Sequence, residues 1–254
     1  MINIASLQVR SYLHIDKLDI DAGKMVAICG PNGAGKSTLL EALAGYLPIQ
    51  QGVIRFAGES LRDYSVAELA TKRSWLPQQA GRRVYLSVFE QLLLTAEQFA
   101  PSHRQSPLCR QVIDDVVQRL ALQPLVGRTL MALSGGELQR VAMANLLVSC
   151  DHRLNPDHQL ILLDEPFSAL DPHYQHQVIA VLLELKKQGR TVLLALHDLN
   201  LAVFYAMDVL LLDQGRLKMY GPAQQVLSSQ QLAELFGVSM TQISINGRTQ
   251  LVLA

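Results

Sequence analysis

The stretch that most constrains this chain is MVAICGPNGAGKST, residues 25–38. Five apolar residues run straight into a loop holding Gly30, Gly33 and Gly35, then a lysine and two hydroxyls. A continuous apolar run of that length suits a strand buried on both faces of a parallel sheet. The residues after it space their apolar side chains as a helix, predicted over 36–44. A glycine loop between a buried strand and a helix is the context that makes GxxxxGK[ST] a phosphate loop. Its glycines let the backbone wrap closely and aim N–H groups at phosphate oxygens. Pro31, Asn32 and Ala34 complete the loop. Lys36 offers a cation to the β- and γ-phosphates, Ser37 a hydroxyl to Mg²⁺, and Thr38 support for the α-phosphate.

The rest of the chain fits that start. LILL (160–163), TVLLAL (191–196) and VLLLD (209–213) are further apolar runs suited to buried strands. Helical patterns over 173–188 and 198–206 separate them. Strands alternating with helices imply an α/β core. From about 86 to 149 the pattern changes. LSVFEQLLLTAEQF, CRQVIDDVVQRLAL and GGELQRVAMANLLV all have helical spacing, with no convincing strand between them. The expectation is one domain over 1–254, with a helical subdomain inserted at approximately 86–150. The first ~25 residues and 52–56 read as strands of a peripheral antiparallel sheet. In SINGRTQLVL, Asn246-Gly247 between two β-like runs signals a hairpin.

Composition excludes several classes. Lys plus Arg equals Asp plus Glu, so a formal net charge of zero argues against a protein built mainly to grip nucleic acid. No apolar run reaches the ~18 residues needed to cross a bilayer. Arg10, His14, Asp16 and Lys17 stand where a signal peptide would need an apolar block, so a cytoplasmic location is expected. Cys29, Cys109 and Cys150 fit neither a metal spacing nor a disulfide framework. His173 and His176 share a helical face, and His152 and His158 fall in a polar loop; all four read as solvated surface.

LILLDEP puts Asp164 and Glu165 at the end of a buried strand. Consecutive strand residues point to opposite sides, so the two carboxylates are expected to do different jobs. Asp164 suits Mg²⁺, directly or through water, and Glu165 suits general-base activation of water. His197 follows the strand TVLLAL and is a candidate γ-phosphate contact, although a histidine there also serves as an ordinary edge residue. Gln78, in WLPQQ, is a candidate sensor of metal and water. Tyr12 is a candidate for stacking on adenine; an ordinary strand aromatic would look the same. LSGGELQR, residues 133–140, reads as a glycine turn opening a helix, a ready anion site with no lysine of its own.

The order of these motifs resembles the ATP-binding cassette family across nearly the whole chain: phosphate loop, glutamine turn, LSGGE, LDEP, SALD and strand-end histidine. The resemblance implies an ATPase using ATP and Mg²⁺, with Ser37, Gln78 and Asp164 near the metal and Glu165, His197 and Gln78 catalytic. It implies that Leu133, Ser134, Gly135, Gly136 and Glu137 complete the ATP site of a second copy in a head-to-tail dimer. Asp171 of SALD would couple the two sites. It also implies integral membrane permease subunits, received around residues 78–89, and indirectly a periplasmic substrate-binding protein. The working place is then the cytoplasmic face of a bacterial inner membrane. The long segment before LDEP, the short region before the phosphate loop and the tail ISINGRTQLVLA resemble cobalamin-importing members. Iron–siderophore or haem importers look similar, and a non-transport cassette is the more distant alternative. Leu138, Asn145 and Phe167 depart from the common family pattern but remove no catalytic group.

Overall fold

The computed structural model describes residues 2–78, 84–99, 106–168, 170–205, 207–237, 240–245 and 248–253. In chain order, β1 (Ile2–Val9), β2 (Leu13–Ile20), β3 (Met25–Cys29), α1 (Lys36–Leu43), β4 (Ile49–Phe56) and β5 (Glu59–Ser60) come first. Then follow α2 (Val66–Lys72), β6 (Arg73–Leu76), α3 (Val88–Phe99), α4 (Pro107–Arg119), α5 (Gly135–Ser149) and β7 (Leu160–Asp164). The last part holds α6 (Pro172–Lys187), β8 (Thr191–Ala195), α7 (Leu199–Phe204), β9 (Asp208–Asp213) and β10 (Arg216–Pro222). It ends with α8 (Ala223–Val226), α9 (Ser229–Phe236), β11 (Met240–Ile245) and β12 (Arg248–Leu253). The elements group into two compact units: Met1–Ser65 with Leu162–Glu165 and Thr191–Ala254, and Val66–Ile161 with Pro166–Arg190.

The first unit is built on a sheet ordered β5-β4-β1-β2-β10-β9-β3-β8, followed by the Leu162–Asp164 end of β7. β3 lies parallel between β8 and β9, and every residue of β3, β7 and β8 is buried. That is why these strands are apolar without alternation. β1, β2 and β4 are antiparallel and alternate more, because one face meets solvent. They join the parallel part through one parallel bridge, Arg216 to His14. β11 and β12 pair as the expected hairpin, Ile245 opposite Arg248; Asn246 and Gly247 themselves lie outside the described residues. Asn200 clamps this hairpin to α7 by bonding both the N–H and the carbonyl of Leu251.

The second unit is mainly helical. Ser106 caps α4 by accepting from Cys109 N, and Pro107 sits at its first turn. α3 buries Val88, Leu92 and Ala96, one face at i, i+4 and i+8. α5 differs: nearly its whole length from Leu138 to Ser149 is buried. Helical spacing finds such a helix but does not tell how many sides it buries. β6 lies beside the start of β7, with Gln159 N donating to Lys72 O at 2.9 Å.

Candidate functional site

The first unit assembles most of the expected site. Gly35 takes φ 102° and starts α1 without a side-chain cap, so the helix N-terminus faces the loop with its N–H groups uncovered by a side chain. Gly30 has φ 151°, and a Cβ there would stand 2.1 Å from Leu212 O of β9. The glycine is thus required by close packing of the loop on the sheet as well as by conformation. The Lys36 ammonium is buried and donates to Gly30 O at 2.9 Å and Pro31 O at 3.1 Å. Two of its three donors hold the loop in shape. Burial pushes its pKa down, while Glu165, Cys29 and Asp164 pull it back up.

Asp164 is 3% exposed, and its Oδ1 has no hydrogen-bond partner. Burial raises its pKa, opposed by a hydrogen bond from Ser37 and by the charge of Lys36. A buried, unpartnered carboxylate oxygen beside a hydroxyl is a hard-oxygen donor set of the kind Mg²⁺ takes. Ser37 and Asp164 therefore fit that ion.

Glu165 corrects the sequence argument. β7 ends at Asp164, and Glu165 takes φ 49°, a left-handed backbone uncommon for a side-chain-bearing residue. The two carboxylates diverge because the chain kinks there, not because of strand alternation. Such a conformation costs ~1–3 kcal/mol and persists where surrounding structure enforces it. The Glu165 carboxylate meets His197 Nε2 at 2.5 Å. A cavity of about 310 Å³ opens between the loop (Gly30, Pro31, Asn32) and the His197 turn (Leu196, His197, Leu199), with Phe236 of α9 on its wall. Phe236 carries no recognisable motif, and sequence reasoning missed it.

Tyr12 is exposed, and its hydroxyl donates to Gly33 O, so the side chain lies against the loop. The turn that fixes it was also missed. Gly215, between β9 and β10, accepts from His14 N at 2.7 Å and donates to Ala34 O at 3.1 Å. It has φ 74°, and a Cβ there would meet Tyr12 O at 2.1 Å. The signal was DQGR, a turn glycine after a buried strand, but nothing local said what it would touch.

The second unit holds the remaining residues. LSGGE forms a complete capping box. Ser134 Oγ accepts from Glu137 N at 3.3 Å, and the Glu137 carboxylate accepts from Ser134 N at 2.7 Å. The bond from the Ser134 backbone, helped by the Ser134 side chain and by Arg128, holds the Glu137 pKa below its ordinary value. Arg128 pairs with Glu137 at 2.8 Å. Leu133 is buried and anchors the turn, while Ser134 and Gly135 are exposed at the start of α5. Asp171 caps α6, accepting from Tyr174 N at 3.1 Å. Further along α5, Gln139 donates to Pro166 O at 3.2 Å, and the Arg140 guanidinium lies 3.7 Å from the Tyr174 ring centre. The signature helix is thereby tied to the start of α6. Gln78 lies two residues past β6 and is exposed; Gln79 lies outside the described residues.

His158 overturns an expectation. It is 3% exposed rather than solvated, and burial, with Arg190 nearby, pushes its pKa down to about 3. His152, His173 and His176 are exposed as expected. All three cysteines are free and buried. Among the described residues no His, Cys, Asp or Glu group has the geometry of a metal cluster.

With phosphate loop, paired carboxylates and signature turn in place, comparison with known proteins decides the family. A sequence model of the family described as ABC transporter matches residues 13–168. The chain belongs to the ABC transporter family. It is an ABC ATPase domain, and its fold is theirs. It is 34% identical over 252 residues to the vitamin B12 import ATP-binding protein BtuD of Vibrio atlanticus, covering 99% of each chain. It is 37% identical over 238 residues to the protein of that name from Yersinia pseudotuberculosis, covering 94% of this chain and 92% of that one. Among solved structures, it resembles that of a transporter described as metal-chelate type, in an inward-facing conformation. The TM-score there is 0.77 at 28% identity, over 100% of this chain and 96% of that one. It also resembles cbiO1 of Clostridium perfringens, part of the complex cbiONQ, at TM-score 0.72 and 25% identity, over 92% of each chain.

Proposed function

We propose that this ABC ATPase is the ATP-hydrolysing subunit of a bacterial importer of vitamin B12. The observation that carries the cargo is the end-to-end likeness to vitamin B12 import ATP-binding proteins, which includes the loops and tail outside the ATP motifs. No helix among the described residues is long and apolar enough to cross a membrane, so a separate permease would supply the channel. Tyr85 is 87% exposed just before α3 and offers an aromatic contact to such a subunit on the surface expected to receive it. The domain would then work peripherally, on the cytoplasmic face of the inner membrane.

In this reading the backbone N–H groups of residues 30–38 and the start of α1 cradle the phosphates, and Lys36 adds its charge. Tyr12, held against the loop by its bond to Gly33 O, would stack on adenine. Mg²⁺ held by Ser37 and Asp164 would neutralise charge on the β- and γ-phosphate oxygens. Glu165 takes the proton of the attacking water, worth ~10²–10⁴-fold in rate. His197, already bonded to Glu165, orients that carboxylate and contacts the γ-phosphate. Gln78 keeps the sensing role that motif order suggests. The exposed Ser134 and the N–H groups of Gly135 and Gly136 offer a helix N-terminus to the γ-phosphate of a second copy, with Asp171 at the same junction. That explains why the signature needs no lysine. Hydrolysis removes the ligand that favours the closed pair, so the dimer opens.

A metal-chelate cargo is the second reading, favoured by the full-length structural likeness to the metal-chelate type transporter. Purifying the chain with its membrane partners and measuring uptake of labelled cobalamin against labelled iron–siderophore separates the two. ATP-dependent uptake of cobalamin alone supports the first; uptake of the chelate alone overturns it. Independently, Ser134→Arg is expected to abolish ATP-driven dimerisation in size-exclusion chromatography while nucleotide binding persists. Normal dimerisation would exclude the shared site.

A further inference from the structure

The segment between α5 and β7, residues 150–159, carries no motif that assigns it a task. In the structure it buries, besides Cys150, three residues: Leu154 is 6% exposed, Asn155 4% and His158 3%. Its polar groups face three neighbours within the second unit: Arg153 pairs with Asp115 of α4 at 2.7 Å, and the others reach α5 and the α2–β6 junction. Toward the end of α5, Asn155 Nδ2 donates to Ser149 O at 3.0 Å. Toward the junction of α2 and β6, the same nitrogen donates to Thr71 O at 2.8 Å, Gln159 N donates to Lys72 O, and His158 Nε2 meets Ser74 Oγ at 2.9 Å. Ser74 Oγ closes the circuit on Ser149 Oγ at 2.6 Å.

The proton order in this circuit is forced. The Ser149 hydroxyl donates to Leu146 O at 2.7 Å, so its oxygen must accept from Ser74. Ser74 has then spent its only proton, so His158 donates to it through Nε2. Every side chain in the chain of bonds has one role, and each is at most 9% exposed. These bonds hold Ser74, Ser149 and His158 in fixed positions, and losing one member strands the others.

What it joins matters. α5 begins at the signature turn, and its 15 residues form a rod ~22 Å long. β6 runs directly into Gln78. We propose that residues 151–159 are a polar brace that fixes the far end of the signature helix to β6, the strand that leads to Gln78. Ser74, Asn155 and His158 are positioning residues: through the brace, displacement of the signature turn and of the Gln78 turn become one movement. The catalytic half of this inference rests on the reading of Gln78 as a sensor of metal and water.

The test uses the purified full chain with Ser74→Ala, its conservative counterpart Ser74→Thr, and Asn155→Ala. Amide hydrogen exchange is read over 71–78, with α3 as the internal control. Hydrolysis is read as kcat and KM per nucleotide-binding site, well below the melting temperature. The brace predicts exchange over 71–78 at least about tenfold faster in both alanine variants, with α3 unchanged and Ser74→Thr restoring protection. It predicts kcat lowered by about 2- to 30-fold with KM for ATP unchanged. It also predicts that Ser74→Ala adds nothing to the loss caused by Gln78→Ala. Unchanged exchange over 71–78 overturns the brace. Faster exchange with independent, multiplying losses in the double variant overturns its action through Gln78. Full activity of Gln78→Ala alone removes the role of Gln78, and the catalytic half with it, while the exchange result still decides the brace.

Discussion

Acid should destabilise this protein through His158, by an amount that follows from its surroundings. Its Nε2 must carry the proton given to Ser74, and its Nδ1 is buried without a partner. Protonation would put a second N–H where nothing accepts it, near the Arg190 guanidinium. The folded chain therefore holds His158 neutral, titrating at about 3 against an ordinary 6.5. The folded value is the lower one. Its stabilisation is thus complete above ~6.5 and lost as pH falls toward ~3, because the unfolded chain takes the proton first. Across the whole window that amounts to ~5 kcal/mol, and between pH 7 and pH 5 to ~2 kcal/mol. For a chain of this size, ~2 kcal/mol moves the melting temperature by ~4–8 °C. The chain has one tryptophan, Trp75, and it neighbours Ser74 in β6, so its fluorescence reports on this unit. His158→Gln keeps an N–H for Ser74 but cannot titrate. Carboxylates common to both proteins cancel in the comparison. Wild type should lose ~4–8 °C more than the variant between pH 7 and pH 5. Identical pH dependence in the two would refute the assigned tautomer and the burial argument together.

Three further outcomes follow from the site. Burial raises the Asp164 pKa, so folding favours its protonated form; that stabilisation is complete below 3.8 and is lost as pH rises through the folded value. At neutral pH the ionised group costs stability, and Asp164→Asn should raise the nucleotide-free melting temperature while losing the extra stabilisation by Mg²⁺-ATP. A variant that melts lower and still responds to Mg²⁺-ATP contradicts both halves. Gly215→Ala should lower stability on the order of 1–3 kcal/mol and weaken ATP binding measured by titration, because its Cβ would push Tyr12 away from the loop. Glu165→Gln should retain ATP binding, cut hydrolysis by ~10²–10⁴-fold and trap an ATP-bound dimer seen by light scattering. Near-normal turnover would remove Glu165 from the role of base.

How legible the protein was in its sequence depended on the range of the interaction. β3 was legible residue for residue, because a fully buried parallel strand must be apolar throughout. α1 and the loop before it were legible because their constraints, positive φ and a free helix N-terminus, are local. The signature capping box lies within four residues, so Ser134 and Glu137 could be placed on a helix start. Strand alternation was the wrong ground for separating Asp164 from Glu165, since a left-handed residue after a strand leaves no mark in LILLDEP.

His158 shows the limit most plainly. A polar loop sequence with histidine, asparagine and proline reads as solvent-facing, yet Asn155 and His158 are interior. Their partners are Thr71, Ser74 and Ser149, and Thr71 and Ser74 stand more than 80 positions upstream. Gly215 and Phe236 are similar: a turn glycine and a helix-end aromatic acquire meaning from Tyr12, Asn32 and His197, all far away in the chain. The sequence by itself determined the buried core strands, the glycine loop that opens α1, the start of the signature helix and the family, because backbone conformation and apolar periodicity are short-range properties. Only the tertiary structure decided which polar groups are buried, which protons they carry and what each turn supports. Those depend on desolvation and on partners brought near by the fold, and neither is written at any one place along the chain.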